Sequence, residues 1–121
     1  MNVKYTTDHE WVKLEGDMAL VGITAFAAEQ LGDIVFIDIN TVGETLEKEE
    51  VFGTIEAVKT VSDMLLPISG EILEFNEALE NNPALINSDA MGAGWIIKIK
   101  PTNLADFEEL LSEEQYSELI G

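Results

Sequence analysis

The sequence predicts a mostly β chain of sandwich or barrel type, with a short internal helix and a helical tail. Three observations carry this prediction. Apolar and polar side chains alternate with a two-residue period through most of residues 10–100, the spacing that puts every second side chain on one face of a strand. Turn-forming residues interrupt the alternation at short intervals, as they do in all-β folds. Beyond Asn103 the period changes, and Leu104, Phe107, Leu110 and Leu111 recur at helical spacing.

Taken in order, residues 10–14 and 18–23 read as strands joined by the turn Glu15-Gly16-Asp17. Thr24 is placed to cap a short helix through Ala25, Phe26, Ala27 and Ala28, and Gly32 to end it. Residues 34–39 form the next strand, followed by exposed turns at Gly43 and residues 47–50. Two apolar-rich runs, 51–55 and 61–66, flank the segment Glu56-Ala57-Val58-Lys59-Thr60. Pro67, Ser69 and Gly70 break the chain before a strand at 71–75. One helical turn is expected within 76–82, ended by Pro83, and the last strand at 95–100 follows Gly92 and Gly94. In the tail Asn103 is a candidate N-cap, and Ser112 with Gln115 forms a capping-box pattern opening a second helical segment. No linker, low-complexity stretch or repeat divides the chain. The expectation is one domain over residues 1–121, with a core at about 18–100 and the helical tail at about 103–120.

Composition narrows the function classes. The 121 residues are 46% hydrophobic, enough to bury a core without staples. Cysteine is absent, which excludes disulfides, thiolate metal sites and a cysteine nucleophile. Six lysines, no arginine and 24 carboxylates give a formal charge of −18. Nucleic-acid binding needs a basic stripe that this chain lacks, and an anionic membrane surface would repel it. The acidity suits solubility and rapid encounter with partners that carry basic patches. No apolar run approaches the ~20 residues of a membrane span. Residues 1–7 show no signal peptide and no arginine-rich transit pattern, so a cytoplasmic protein, or the mature form of an imported one, is expected.

Candidate chemistry is sparse. His9 stands between Asp8 and Glu10, but neighbours on a strand face opposite ways and converge only across a sharp bend. A lone histidine without cysteine makes a poor zinc site. Glu47, Glu49, Glu50, Glu108, Glu109, Glu113 and Glu114 read as solvated faces, and neither a calcium loop nor a glycine-rich phosphate loop is present. Lys59 is the exception. It occupies the middle of a short segment between two strand-like runs, where a side chain extends into solvent and a second protein can reach it. An amine there can form a stable amide with a carboxylic cofactor. On position alone, an ordinary solvated lysine remains the commoner explanation.

The residues around it resemble a known family. Gly53-Thr54-Ile55-Glu56-Ala57-Val58-Lys59-Thr60-Val61-Ser62-Asp63 is similar to the lipoylation segment of glycine cleavage system H proteins. The resemblance extends upstream through Asp8-His9-Glu10-Trp11-Val12, Val21-Gly22-Ile23-Thr24 and Leu31-Gly32-Asp33-Ile34-Val35-Phe36. Downstream it continues through Pro67-Ile68-Ser69-Gly70-Glu71-Ile72, Asn76, Leu85-Ile86-Asn87-Ser88-Asp89 and Gly94-Trp95-Ile96-Ile97-Lys98-Ile99. It implies a lipoyl/biotinyl-type fold, a flattened barrel sandwich of two antiparallel sheets, with lipoate attached covalently to Lys59 on a tight turn.

It further implies a carrier that catalyses nothing itself. The lipoyl arm would take an aminomethyl group from a pyridoxal-phosphate glycine decarboxylase to a tetrahydrofolate-dependent aminomethyltransferase. Dihydrolipoamide dehydrogenase would reoxidise it, and a lipoate ligase or lipoyltransferase would attach it. Glu10 and Asp63 are implied as carboxylates of the cleft that shields the cationic cargo; Asp8 stands where a small hydroxyl residue can occur. Departures from the family pattern fall at Ala90, Met91 and Ala93. Two other readings stay open: a relay that donates lipoyl groups to other enzymes, and a β-sandwich interaction module whose lysine is unmodified.

Overall fold

The computed structural model describes residues 3–121. The expectation about residues 1–7 therefore rests partly on Met1 and Asn2, which lie outside the described residues. The strands are β1 (Val3–Tyr5), β2 (Glu10–Glu15), β3 (Met18–Ile23), β4 (Ile34–Asp38), β5 (Thr45–Leu46), β6 (Val51–Ala57), β7 (Val61–Leu65), β8 (Gly70–Phe75) and β9 (Ile97–Pro101). The helices are α1 (Ala25–Leu31), α2 (Ala78–Asn81), α3 (Leu85–Ser88), α4 (Ala105–Glu108) and α5 (Glu113–Ile120).

All pairing is antiparallel. One sheet has six strands in the order β1-β2-β3-β9-β8-β5, and the other has three in the order β4-β6-β7. Neither closes on itself, so the architecture is a flattened sandwich and not a closed barrel. The inner faces meet in one core. Val12, Val21, Ile72, Ile97 and Ile99 from the larger sheet pack with Ile34, Ile37, Phe52, Ile55 and Met64 from the smaller. Burying such side chains contributes roughly 1.5–3 kcal/mol each and drives the sheets together.

The outer face of the larger sheet carries a second cluster. Tyr5, Trp11 and Tyr116 form it, with Val3, Leu20, Trp95 and Leu111 alongside. The Trp11 ring lies directly on its cross-strand partner Gly22, where any Cβ would come within 2.8 Å of the indole. Helix α5 covers this face, with Tyr116 stacked on Tyr5 at 4.8 Å between ring centres. Glu10, Trp11 and Val12 are consequently all buried. The two-residue alternation disappears there because β2 is covered on both faces.

Most local signals hold. Gly16 has φ +65° and closes the β2–β3 hairpin. The Thr24 hydroxyl caps α1 by accepting the Ala27 N–H at 3.2 Å, and Ser112 with Gln115 forms a complete capping box on α5. Three expectations shift. The first tail helix is only Ala105–Glu108 and is preceded by Leu104, not capped by Asn103, whose side chain instead accepts the Ala105 N–H at 3.1 Å. Trp95 and Ile96 precede the final strand. Strands β1 and β5 and helix α3 were not anticipated as elements, being too short to display a period.

Gly32 ends α1 at φ +84°, ψ −155°, a backbone region essentially reserved for glycine. Gly32→Ala is therefore expected to destabilise the fold by about 1–3 kcal/mol, measurable by urea unfolding. A change of only a few tenths would mean that the turn relaxes without cost.

Candidate functional site

Strands β6 and β7 meet in a tight hairpin whose loop is Val58-Lys59-Thr60. Ala57 N–H donates across its neck to Thr60 O at 2.7 Å. A second bond anchors the tip from outside, Val58 N–H to Asp33 O at 3.0 Å. Lys59 is exposed, and its side-chain stem lies over Gly32, with Cε 3.5 Å from where a Cβ on that glycine would stand. Among the described residues Lys13, Lys48 and Lys98 pair with carboxylates, and Lys4 lies over the Phe107 ring. Lys59 has no such partner. Lys100 has none either, but it lies within β9, opposite Glu71.

Beside the hairpin a cleft of about 310 Å³ opens between β7 and α1. Its apolar walls include Ile23, Phe26, Leu31, Ile55 and Met64. Its polar lining comprises Asp8, His9, Glu10, Gln30, Ser62 and Asp63. Glu10 and Asp63, distant in sequence, thus share one cavity. Lys59 sits beyond its rim, because Gly32 directly follows the cleft residues Gln30 and Leu31.

The comparisons with known proteins agree with one another. The glycine cleavage H-protein family model matches residues 3–121. The chain belongs to that family. It is 62% identical over 120 residues to the glycine cleavage system H protein of Bacteroides fragilis, covering 99% of this chain and 95% of that one. Against the H protein of Halalkalibacterium halodurans identity is 45%, with 98% and 93% covered. A crystal structure of the Mycobacterium marinum H protein superposes with a TM-score of 0.89 at 42% identity, covering 99% of this chain and 97% of that chain. Membership makes this chain a carrier component of the glycine cleavage system, not a catalyst of its reactions.

Glu10 is the unusual group in the cleft. It is 5% exposed. Its carboxyl accepts the Leu65 N–H at 3.0 Å and the Thr6 hydroxyl at 3.3 Å. Burial is the dominant influence and pushes its pKa up to about 8, with the Asp8 charge adding to the rise and both hydrogen bonds opposing it. With no cation nearby, Glu10 is therefore largely protonated at neutral pH. Asp63, by contrast, is exposed on β7.

The sharp bend that the sequence argument requires for convergence at residues 8–10 is present. His9 adopts φ +67° and its N–H bonds Thr6 O at 3.2 Å, so the chain bends sharply immediately before β2. Asp8, His9 and Glu10 consequently all line the cleft. No group of three His, Asp or Glu side chains placed to hold one metal ion occurs among the described residues. His9 packs on Phe26 with ring centres 4.8 Å apart, and its Nδ1 lies 2.9 Å from the Tyr116 hydroxyl. Its place in the cleft was missed because nothing in the sequence marks a non-glycine residue with left-handed backbone.

The departures at Ala90, Met91 and Ala93 fall in a loop whose backbone carbonyls at two of these positions accept side-chain hydrogen bonds. Ala90 O accepts Trp11 Nε1–H at 3.1 Å, while Ala93 O accepts the Asn76 amide at 2.9 Å. Side-chain changes there leave those bonds available.

The sign of Glu10's effect on stability follows from its raised pKa. Below pH 4.5 both folded and unfolded chains hold the proton, and burial exacts no ionisation penalty. As pH rises toward about 8 the unfolded chain releases it and the folded chain does not, so stability falls across that window and then levels off. Glu10→Gln should flatten this part of the stability–pH profile and be the more stable protein at neutral pH, as read by denaturant unfolding. Parallel profiles for the two proteins would contradict a buried neutral carboxyl.

Proposed function

We propose that Lys59 is the lipoyl attachment point and that the adjoining cleft is the resting place of the loaded arm. The observation that carries the reading is an unpartnered lysine on a hairpin tip just beyond the rim of a cavity lined by three carboxylates, Asp8, Glu10 and Asp63. The residues fit such a group: the amine is free to be acylated, and the side-chain stem lies over a glycine that leaves it room. When bound, lipoate supplies a strained disulfide that accepts an aminomethyl group on one sulfur.

The protein's own contribution is then tethering, positioning and shielding. Tethering replaces free diffusion of the cargo by search at high effective concentration. Apolar side chains from Ile23, Phe26, Leu31 and Met64 limit water around the arm. Glu10 and Asp63 would attract the cargo's ammonium, and Glu10 would lose its proton as that cation arrives. The partners in this reading are glycine decarboxylase, aminomethyltransferase and dihydrolipoamide dehydrogenase, with a lipoate ligase or lipoyltransferase acting first. A cytoplasmic setting is supported by the bacterial relatives. No helix among the described residues is long and apolar enough to cross a membrane.

Peptide mapping after incubation with lipoate ligase, ATP and lipoate should find modification at Lys59 and at no other lysine. Lys59→Arg retains the charge without an acylatable amine, so carrier activity should vanish while the fold persists. Equal labelling of Lys48 or Lys98 would sink the assignment.

The cleft carboxylates are tested separately. In the Glu10→Gln, Asp63→Asn double variant, lipoylation should proceed at an unchanged rate. Once the arm is loaded, ammonia release without the aminomethyltransferase should accelerate about tenfold, equivalent to the loss of one charge-assisted contact. Release no faster than from the parent would remove these two residues from the mechanism and leave Lys59 unaffected.

A further inference from the structure

We infer that Asn87 is a positioning residue for Lys59: its side chain grips the Gly32–Ile34 turn, and that turn holds the hairpin tip. Asn87 belongs to α3, a four-residue helix fixed in the core by Ile86, which is fully buried. Its side chain is exposed and is not among the residues that line the cleft. Its amide nevertheless makes two bonds to one short stretch of chain. Nδ2 donates to Gly32 O at 2.9 Å, and Oδ1 accepts the Ile34 N–H at 3.0 Å. The two contacts fix the amide orientation, since a flipped group would set donor against donor and acceptor against acceptor.

The second contact continues into the hairpin. The Ile34 N–H and the Asp33 C=O belong to the same peptide unit, and that carbonyl accepts the N–H of Val58 at 3.0 Å. The chain of bonds runs from Asn87 through one peptide group to the residue immediately before Lys59. Each bond polarises the next, so the middle peptide is a better acceptor for Val58 with Asn87 in place than without it. The first contact steadies Gly32, whose backbone is restricted to glycine and over which the Lys59 stem lies. An exposed side chain on a remote helix thereby sets both the backbone and the stem of the lysine.

This matters because Val58, Lys59 and Thr60 are all exposed, so burial in the core does not orient them. An enzyme acting on Lys59 meets a population of tip conformers, and its apparent affinity falls with the fraction that is competent. Losing the clamp lowers that fraction without altering the amine. The effect belongs in KM and leaves kcat alone.

The inference rests on Lys59 being the attachment point, and the experiment separates the two. Full-length Asn87→Ala is compared with the parent and with Ser88→Ala, a neighbouring exposed position on the same helix. Amide exchange at Val58 should accelerate about fivefold in Asn87→Ala, the loss of one net hydrogen bond, while core amides such as Val21 keep the parent rate. With ATP-dependent lipoate ligase, KM for the variant should rise about threefold to fivefold with kcat unchanged, and Ser88→Ala should match the parent in both measurements. Unchanged Val58 exchange, or an equal rise at Val58 and Val21, would overturn the clamp, as would faster Val58 exchange with an unaltered KM. If the parent itself is not lipoylated at Lys59, the attachment assignment fails, and the Val58 exchange still reports on the bonds from Asn87.

Discussion

The cleft exists because β7 is an edge strand. β6 is paired on both sides, whereas β7 pairs only with β6. Along an antiparallel edge, alternate residues turn their N–H and C=O groups away from the one partner they have. Such groups must meet water or side chains, and a bare edge invites another strand. Here Leu65 N–H goes to Glu10 from β2. One carboxyl oxygen bridges the two sheets at the point where β-pairing does not. The space between this edge and α1 remains open, and it runs toward the hairpin that presents Lys59.

Holding Glu10 at that point requires the chain before β2 to arrive from an unusual direction, and the two ends of the protein share this task. The left-handed residue His9 makes the bend, and Thr6 bonds both the backbone and the carboxyl of Glu10. The Tyr116 hydroxyl, from α5, lies 2.7 Å from Thr24 Oγ1 and 2.9 Å from His9 Nδ1. Thr24 also accepts the Ala27 N–H through the same Oγ1. Tyr116 therefore ties the α1 cap to the His9 imidazole through one hydroxyl. Leu111 also bridges to Tyr5 in β1. The tail thus fastens the cleft's floor, with consequences well beyond covering apolar surface.

These dependencies explain what the sequence could and could not disclose. The hairpin around Lys59, the Thr24 cap, the Gly32 stop and the Ser112 capping box are local, each written within five or six residues, and each was legible. So was the mostly β, sandwich-or-barrel class, because alternation is a property of single strands, whereas the two-sheet arrangement came only with the family resemblance. The pairing order was not legible, since nothing in β9 or β5 specifies β3 or β8 as a neighbour. The site divided along the same line. Lys59 stands out by position, whereas Glu10 looks like surface until Thr6 and Leu65 are brought to it. His9 enters the cleft through a bend that the sequence reading named as a condition but did not locate. Asn87 lay within a recognised stretch, yet its reach to Gly32 and Ile34 crosses more than fifty residues of sequence.

The protonated state of Glu10 bears on how a carrier can hold its cargo and still let go of it. A permanently ionised carboxylate in a partly dry cleft would lack a counter-charge for much of the cycle, an arrangement that costs several kcal/mol. Burial instead lets Glu10 keep its proton while the cleft is empty. On the proposed reading, an ammonium entering the cleft reverses the balance, because an adjacent positive charge favours the ionised carboxyl. The attraction then arises together with the cargo that needs it. A neutral arm, before loading or after transfer, induces no such ionisation and gains only weak apolar contact. Retention is therefore selective for the charged cargo, and an unloaded arm is free to swing out from the hairpin to the next enzyme. A surface carboxylate would not discriminate in this way, since high dielectric weakens its hold on any cation. On that reading the burial of Glu10 by the β7 edge, and not merely its negative charge, is what would make the cleft selective.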